Sequence, residues 1–295
     1  MKISYLGPKG TFTEEAVHGY AKAYKLQAEY EAYSTIDAAL EAMYKGAVDL
    51  AVVPIENSLG GTVLTTSDYL AEFDECEILG ELLLPIVHYL WGSQSSIDIK
   101  NVKKVYSHPQ ALRQCKGYLD TYLPRAERVE TSSTAEAAQL VSQHKDSQEA
   151  LVGGYTLGLT YDLSCLAKAI QDNQLNTTRF IGVRRKKDAH YLANKKADKV
   201  SVWCQLDGMR PGSLCESLLL FAKRHINLVR IESRPAKGRL GEYTFFFDIA
   251  IPGNPQVMTE ALEELKQLAS DYRFLGAYES KQVERKEFNK VNEVE

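Results

Sequence analysis

Two short segments carry the residue types that bind or transform a small acid. In Pro54-Ile55-Glu56-Asn57-Ser58-Leu59-Gly60-Gly61-Thr62, a carboxylate and an amide end an apolar run and two glycines follow, permitting close approach of a ligand to the backbone. A plain strand-to-helix turn with a solvated Glu56 fits that spacing equally well. Asn176-Thr177-Thr178-Arg179-Phe180 sets hydroxyls beside an arginine, the usual bidentate partner of a carboxylate; a surface ion pair is the plainer alternative for Arg179. Three capping boxes, Thr11 with Glu14, Ser107 with Gln110 and Ser133 with Glu136, mark helix starts just after strands. Each satisfies the first amides of its helix. Collected at the carboxyl ends of parallel strands, such helix starts also suit a small anion held between two lobes. The cysteines (Cys76, Cys115, Cys165, Cys204, Cys215) are scattered without a CxxC pair, and no Cys/His cluster has metal-ligand spacing.

The elements that position these residues repeat. KISYL reads as a strand, followed by a helix from about Phe12 to Tyr24, the helix STIDAALEAMYKG and the buried strand DLAVVPIE. KKVYS, HPQALRQCKGYL, SSTAEAAQLVSQH and EALVGG repeat that order. Strand–helix alternation implies parallel sheets, and two such halves imply two α/β lobes facing a cleft. EILGELLLPIVHYLWG bridges them, and the chain after about Ala167 returns to the first lobe. Residues 1–183 form this two-lobed domain and 184–198, with the basic run Arg184-Arg185-Lys186-Lys187, a solvated linker. Residues 199–280 follow the βαββαβ order of a ferredoxin-like fold, and 281–295 are a charged tail.

A chain of 295 residues, 44% hydrophobic and 25% charged, supports two cores. Its net charge of -4 argues against nucleic acid or an anionic membrane as the main partner. Leu82 to Trp91, the greasiest stretch, is interrupted by Pro85 and His88 and is too short to span a bilayer. The start lacks a long apolar signal core, so a cytoplasmic protein with reduced thiols is expected.

The ordered set GPKGTFTEEA, VVPIENSLGGTV, YSHPQALRQC, TSSTAEAA and NTTRF resembles the successive motifs of prephenate dehydratases. INLVRIESRP and PGSL resemble the effector motifs of the ACT domain attached to those enzymes, with Ser213 where the family more often has alanine. The resemblance runs from Ile3 to about Glu279. It implies a catalytic domain like the two-lobed periplasmic binding proteins, a ferredoxin-like ACT domain, and no metal or organic cofactor. The implied reaction turns prephenate into phenylpyruvate, water and carbon dioxide. An arogenate dehydratase, or a two-lobed binding module without chemistry, are the alternative readings. A fused chorismate mutase is not expected.

Carried over by motif, Thr178 and Glu56 are the catalytic pair, with Thr178 handing the leaving hydroxyl a proton relayed from water or from a neighbour, Glu56 being that neighbour provided it stays protonated. Arg179, Asn57, Ser107, Gln114 and Phe180 bind substrate, with Gln114 two helical turns beyond Ser107 and on the same side. Gly212, Ser213, Leu214, Asn227, Leu228, Glu232 and Ser233 form a phenylalanine site between paired ACT domains, so a homodimer or homotetramer is implied.

Overall fold

The computed structural model describes residues 1–94, 97–144, 148–186, 196–236 and 242–283. Two compact units divide the chain. One holds Met1–Thr66 and Leu82–Phe180 with Gln282 and Val283; the other holds Ser67–Glu81 and Ile181–Lys281. This division is interleaved in sequence, unlike a single cut near residue 183, because a short middle segment packs with the C-terminal residues.

The first unit opens with β1 (Lys2–Leu6), α1 (Phe12–Ala23), β2 (Glu29–Tyr33), α2 (Ile36–Tyr44), β3 (Leu50–Asn57) and the two-residue β4 (Gly61–Thr62). β1 pairs in parallel with both β2 and β3, and β4 folds back on β3 through Glu56 opposite Thr62. Leu50, Ala51, Val52 and Val53 are wholly buried, as an apolar run in a central parallel strand must be. Helix α2 turns Ala39, Leu40 and Met43 inward, and Ser4 on β1 donates to the Ala39 carbonyl at 2.8 Å.

After α3 (Leu64–Glu72) and β5 (Cys76–Pro85) come β6 (Tyr89–Gly92), β7 (Lys104–Ser107), α4 (Pro109–Gln114), α5 (Lys116–Tyr122), β8 (Glu127–Glu130), α6 (Thr134–Gln143), β9 (Glu149–Gly153), α7 (Tyr155–Thr160) and β10 (Ser164–Ala167). Their sheet runs β10-β6-β9-β7-β8. β7 pairs in parallel with β8 and β9 as β1 does with β2 and β3, so the duplication is present in three dimensions. Alternation builds a core on each face: Leu90, Val105, Ala150 and Val152 on one, Trp91, Tyr106 and Leu151 on the other. The helix expected over HPQALRQCKGYL breaks at Cys115 into α4 and α5. β11 (Thr177–Arg185) brings the chain back, its start tied to the first lobe by Ser58 N–H donating to the Thr177 carbonyl at 2.9 Å.

The second unit contains β12 (Lys199–Leu206), α8 (Ser213–Lys223), β13 (Leu228–Pro235), β14 (Tyr243–Ala250), α9 (Pro255–Leu268) and β15 (Ala269–Gln282). This is the βαββαβ order read from the sequence, with strands in the order β13-β14-β12-β15 and antiparallel neighbours throughout. Val200, Val202 and Cys204 meet Phe245, Phe247 and Ile249 beneath Phe221, Met258 and Leu265 of the two helices. The Ser67–Glu81 segment joins this unit through polar contacts: Asp68 with Arg234 at 2.8 Å, and buried Glu81 with Lys199 at 2.5 Å. Gly276 is required here, since a Cβ would lie 2.3 Å from the Ile78 carbonyl oxygen. The basic run is not a solvated linker where it is described: Arg184 and Arg185 end β11 paired to Glu77 and Glu75. Lys187 and the rest of that expected linker up to residue 195 lie outside the described residues, as does the tail from 284. No described helix is long and apolar enough to cross a membrane.

Candidate active site

In the first unit a cavity of about 360 Å³ is bounded by the end of β3, the start of β11, and the starts of α1, α4 and α6. Strand alternation sorts the TRF residues. Thr178 and Phe180 line the cavity, whereas Arg179 between them does not. Arg179 is buried, 7% exposed, and meets Glu56 at 3.6 Å; the Glu56 side chain is 39% exposed and also off the lining. The two residues expected to clamp and to protonate the substrate therefore face each other away from the cavity, because each stands on the other side of its strand from a lining neighbour.

Asn57 organises the lining. Its Oδ1 accepts from the backbone N–H of Leu59 (3.0 Å) and Gly60 (2.8 Å) in the turn with the two glycines. Its Nδ2 donates to Thr178 Oγ1 (2.8 Å) and to Asn176 Oδ1 (2.9 Å). Asn176 Nδ2 donates to Gln114 Oε1 at 3.2 Å, and the same oxygen lies 2.8 Å from His88 Nε2. One polar chain thus joins four separate segments. Asn176 and His88 are almost fully enclosed, at 1% and 2% exposure, and burial lowers the pKa of the His88 imidazole.

Helix starts supply the opposite rim. Thr11 caps α1 by accepting from Glu14 N–H, and Ser133 caps α6 by accepting from Glu136 N–H at 3.1 Å. The reciprocal arms of these boxes land one residue early, Glu14 on Gly10 N–H and Glu136 on Ser132 N–H. Thr11, Ser132, Ser133 and Thr134 line the cavity. The third expected box is corrected: His108, not Ser107, caps α4 by accepting from Gln110 N–H. Ser107 is fully buried and donates to the Val152 carbonyl at 2.6 Å, inside the lobe rather than toward the cavity, so it shares no side with Gln114.

No Asp, Glu, Lys or Arg is among the described residues of the lining. Hydroxyls, amides, two imidazoles and the positive ends of α1 and α6 remain, a surface made to hold an anion by oriented donors. An adjoining cavity shares Gln110, Gln114 and Asn176 and adds Arg113, which sequence reading passed over as one more helix residue. Asn176 was named in its segment but given no role, and His88 was given none either; the one sign of His88 was a titratable residue within an otherwise apolar stretch. Among the described residues no group of His, Cys, Asp and Glu is placed to hold a metal.

In the second unit Gly212 precedes α8 in the left-handed region at φ +87°. Ser213 Oγ donates to the Asp207 carbonyl and Leu214 packs on the core. Asn227 and Leu228 lie past the other end of α8, whose 11 residues span about 16 Å. Glu232 lies 3.8 Å from Arg230, and Ser233 is exposed on β13, the outermost strand.

Residues 3–188 match the family described as prephenate dehydratase. A prephenate dehydratase of Bacillus subtilis is 35% identical over 288 residues, covering 96% of this chain and 100% of its own. One from Lactococcus lactis subsp. cremoris is 37% identical over 279 residues, covering 94% and 97%. The solved prephenate dehydratase of Arthrobacter aurescens in complex with L-Phe superposes with a TM-score of 0.82 at 35% identity, covering 95% of this chain and 90% of that one. The Staphylococcus aureus prephenate dehydratase does so with a TM-score of 0.80 at 28% identity, covering 94% and 100%.

Proposed function

Because the chain belongs to the prephenate dehydratase family, an enzyme class that acts on prephenate, we propose that the donor-lined cavity binds the substrate dianion and that Thr178 drives loss of its hydroxyl. The observation that carries this reading is the hydrogen bond from Asn57 Nδ2 to Thr178 Oγ1. With its oxygen already accepting, the Thr178 O–H is left to donate to the departing hydroxyl. As the ring C–O bond breaks, the oxygen leaves with its electron pair and takes a proton. The C–C bond to the lost carboxylate supplies the pair that completes the aromatic ring.

The links between Thr178 and His88 are the amides of Asn57, Asn176 and Gln114, which do not pass protons on to Thr178. Thr178 acts as an oriented donor, and the proton that completes water comes from solvent rather than from Glu56. Substrate carboxylates are met by the starts of α1 and α6 and by Gln114, with Phe180 against the ring, while both Nδ2 hydrogens of Asn57 are taken by Thr178 and Asn176. A lining with no Lys or Arg among its described residues also favours decarboxylation, since a carboxylate clamped by a guanidinium resists leaving as neutral carbon dioxide. Arg179 and Glu56 hold β11 and β3 behind the site.

The second unit we read as an ACT domain that senses phenylalanine, supported by the βαββαβ order, the PGSL and ESRP motifs, and a relative solved in complex with L-Phe. Gly212–Leu214 and Asn227–Leu228 lie at opposite ends of α8, too far apart for one amino acid to touch both in a single copy. Two copies side by side would complete the site, which is the reason for reading a homodimer or homotetramer. A cytoplasmic setting belongs to the same reading, in keeping with five free cysteines. The deciding experiment incubates the full chain with prephenate and follows phenylpyruvate. No product would overturn the enzymatic reading, and a higher kcat/KM on arogenate would reassign the substrate.

A further inference from the structure

We infer that His88 is a positioning residue for substrate binding: as the neutral Nε2–H imidazole it holds the Gln114 amide with its NH2 end toward the substrate. At one end of the hydrogen-bond network stand donors that cannot reverse. Two backbone N–H groups, of Leu59 and Gly60, fix Asn57 Oδ1, so Asn57 Nδ2 must donate onward to Asn176 Oδ1. Asn176 therefore presents Nδ2 to Gln114, whose Oε1 is the acceptor. The His88 Nε2 atom, 2.8 Å from that same oxygen, must then carry the hydrogen. Its Nδ1 is shielded from solvent with no hydrogen-bond partner among the described residues, so a proton there would be a buried, unsatisfied donor. The ring is steadied edge-on by Phe12, centroids 5.2 Å apart.

Two donors converging on Oε1 leave Nε2 of Gln114, which lines both adjoining cavities, to serve the substrate. Reversal of that amide would present a carbonyl oxygen to a carboxylate, in a lining that holds no Lys or Arg among the described residues. This inference rests on the proposed activity toward prephenate for its kinetic consequence, but not for the protonation state.

The experiment uses the full chain. Nitrogen-15 NMR of labelled histidine should show His88 with a pyridine-type Nδ1 and a pyrrole-type Nε2 across the assay pH range; the opposite tautomer or a charged ring overturns the inference. His88→Phe should raise the KM for prephenate roughly tenfold or more with kcat within about threefold, as loss of one hydrogen bond to a charged oxygen predicts. His88→Gln, which restores an N–H at similar reach, should recover most of that loss, and His88→Asn, whose amide falls short of Gln114, should not. In a double-mutant cycle, His88→Phe added to Gln114→Ala should cost nothing further. An unchanged KM in His88→Phe and His88→Asn, or additive effects with Gln114→Ala, would sink the idea. If the unaltered protein fails to consume prephenate, the proposed activity falls instead, and the NMR result judges His88 separately.

Discussion

In the proposed reaction Thr178 serves as a donor because its oxygen is already occupied as an acceptor. The bond from Asn57 decides the direction of the hydroxyl, and that decision can be tested without emptying the site. Thr178→Val keeps the side-chain shape and should lower kcat by roughly a hundredfold or more, with binding of a substrate analogue little changed. Asn57→Asp is close to isosteric but accepts where Asn57 donates, so it turns the Thr178 hydrogen away from the substrate. It should cost kcat a comparable factor, and adding Thr178→Val should cost little more. Near-normal turnover in either single variant would remove Thr178 from the mechanism. Arg179 carries the opposite expectation. Since it faces Glu56, Arg179→Lys should leave KM within about threefold and lower thermal stability instead, and Glu56→Gln should keep most turnover. A KM that rises tenfold in Arg179→Lys would restore the guanidinium as a substrate clamp.

At the scale of elements, one strand and two helix starts do most of the placing. The period-two alternation of β11 separates Thr178 and Phe180 from Arg179, and the capped starts of α1 and α6 aim their amides at the same space. Helix α1 also carries a group with a measurable signature. Glu15 is enclosed near Tyr89 and Tyr155, and burial raises its carboxyl from 4.5 to about 8. The folded protein therefore keeps a proton that the unfolded chain releases above about 4.5. Its stabilising contribution is full below that value and is lost as pH rises through about 8. Glu15→Gln should flatten this part of the pH dependence, with a Tm above that of the unaltered protein by roughly a few degrees at pH 8 and a smaller gap at pH 5. Equal gaps at both pH values would show that Glu15 is ionised in the fold. The edge strands β2 and β8 were not legible: EYEAY and ERVE carry charges, and only pairing to β1 and β7 makes them strands.

At the scale of the whole molecule, the interleaved units change how regulation should be tested. A chain ending near Val183 would strip Ser67–Glu81 of the residues it packs with, leaving buried Glu81 without Lys199. Truncation would then report instability rather than insensitivity. Gly212→Val is equally unsuited, because φ +87° strains a branched residue whatever the ligand does. Asn227 is exposed, and its side chain is the part expected to meet the effector. Asn227→Ala should raise the phenylalanine concentration for half inhibition about tenfold and leave uninhibited kcat/KM unchanged. Coupling through an oligomer also implies reciprocity: inhibition should be cooperative, and prephenate should weaken phenylalanine binding by the factor with which phenylalanine weakens prephenate. Calorimetric titrations with and without a substrate analogue measure both; purely competitive, non-cooperative inhibition would place phenylalanine in the catalytic cavity.

Local sequence by itself determined the strands whose burial is written in their composition, such as DLAVVPIE and KVSVWCQL, and the helix starts written in Thr11 and Ser133. It also determined the βαββαβ order of the second unit and, through the ordered motifs, the family. These are properties of neighbours along the chain: periodicity, capping and turn chemistry act over a few residues. Tertiary structure alone decided the direction of each donor in the cavity. Asn57, Asn176, Gln114 and His88 come from segments separated by 119, 62 and 26 residues, and an amide has no preferred direction until its partners arrive. It also decided that Glu56 and Arg179 turn toward each other, that Ser107 spends its hydroxyl on the Val152 carbonyl, and that Ser67–Glu81 joins the C-terminal unit. Each depends on which distant surface a side chain meets when the lobes and strands assemble, and no local pattern encodes that meeting.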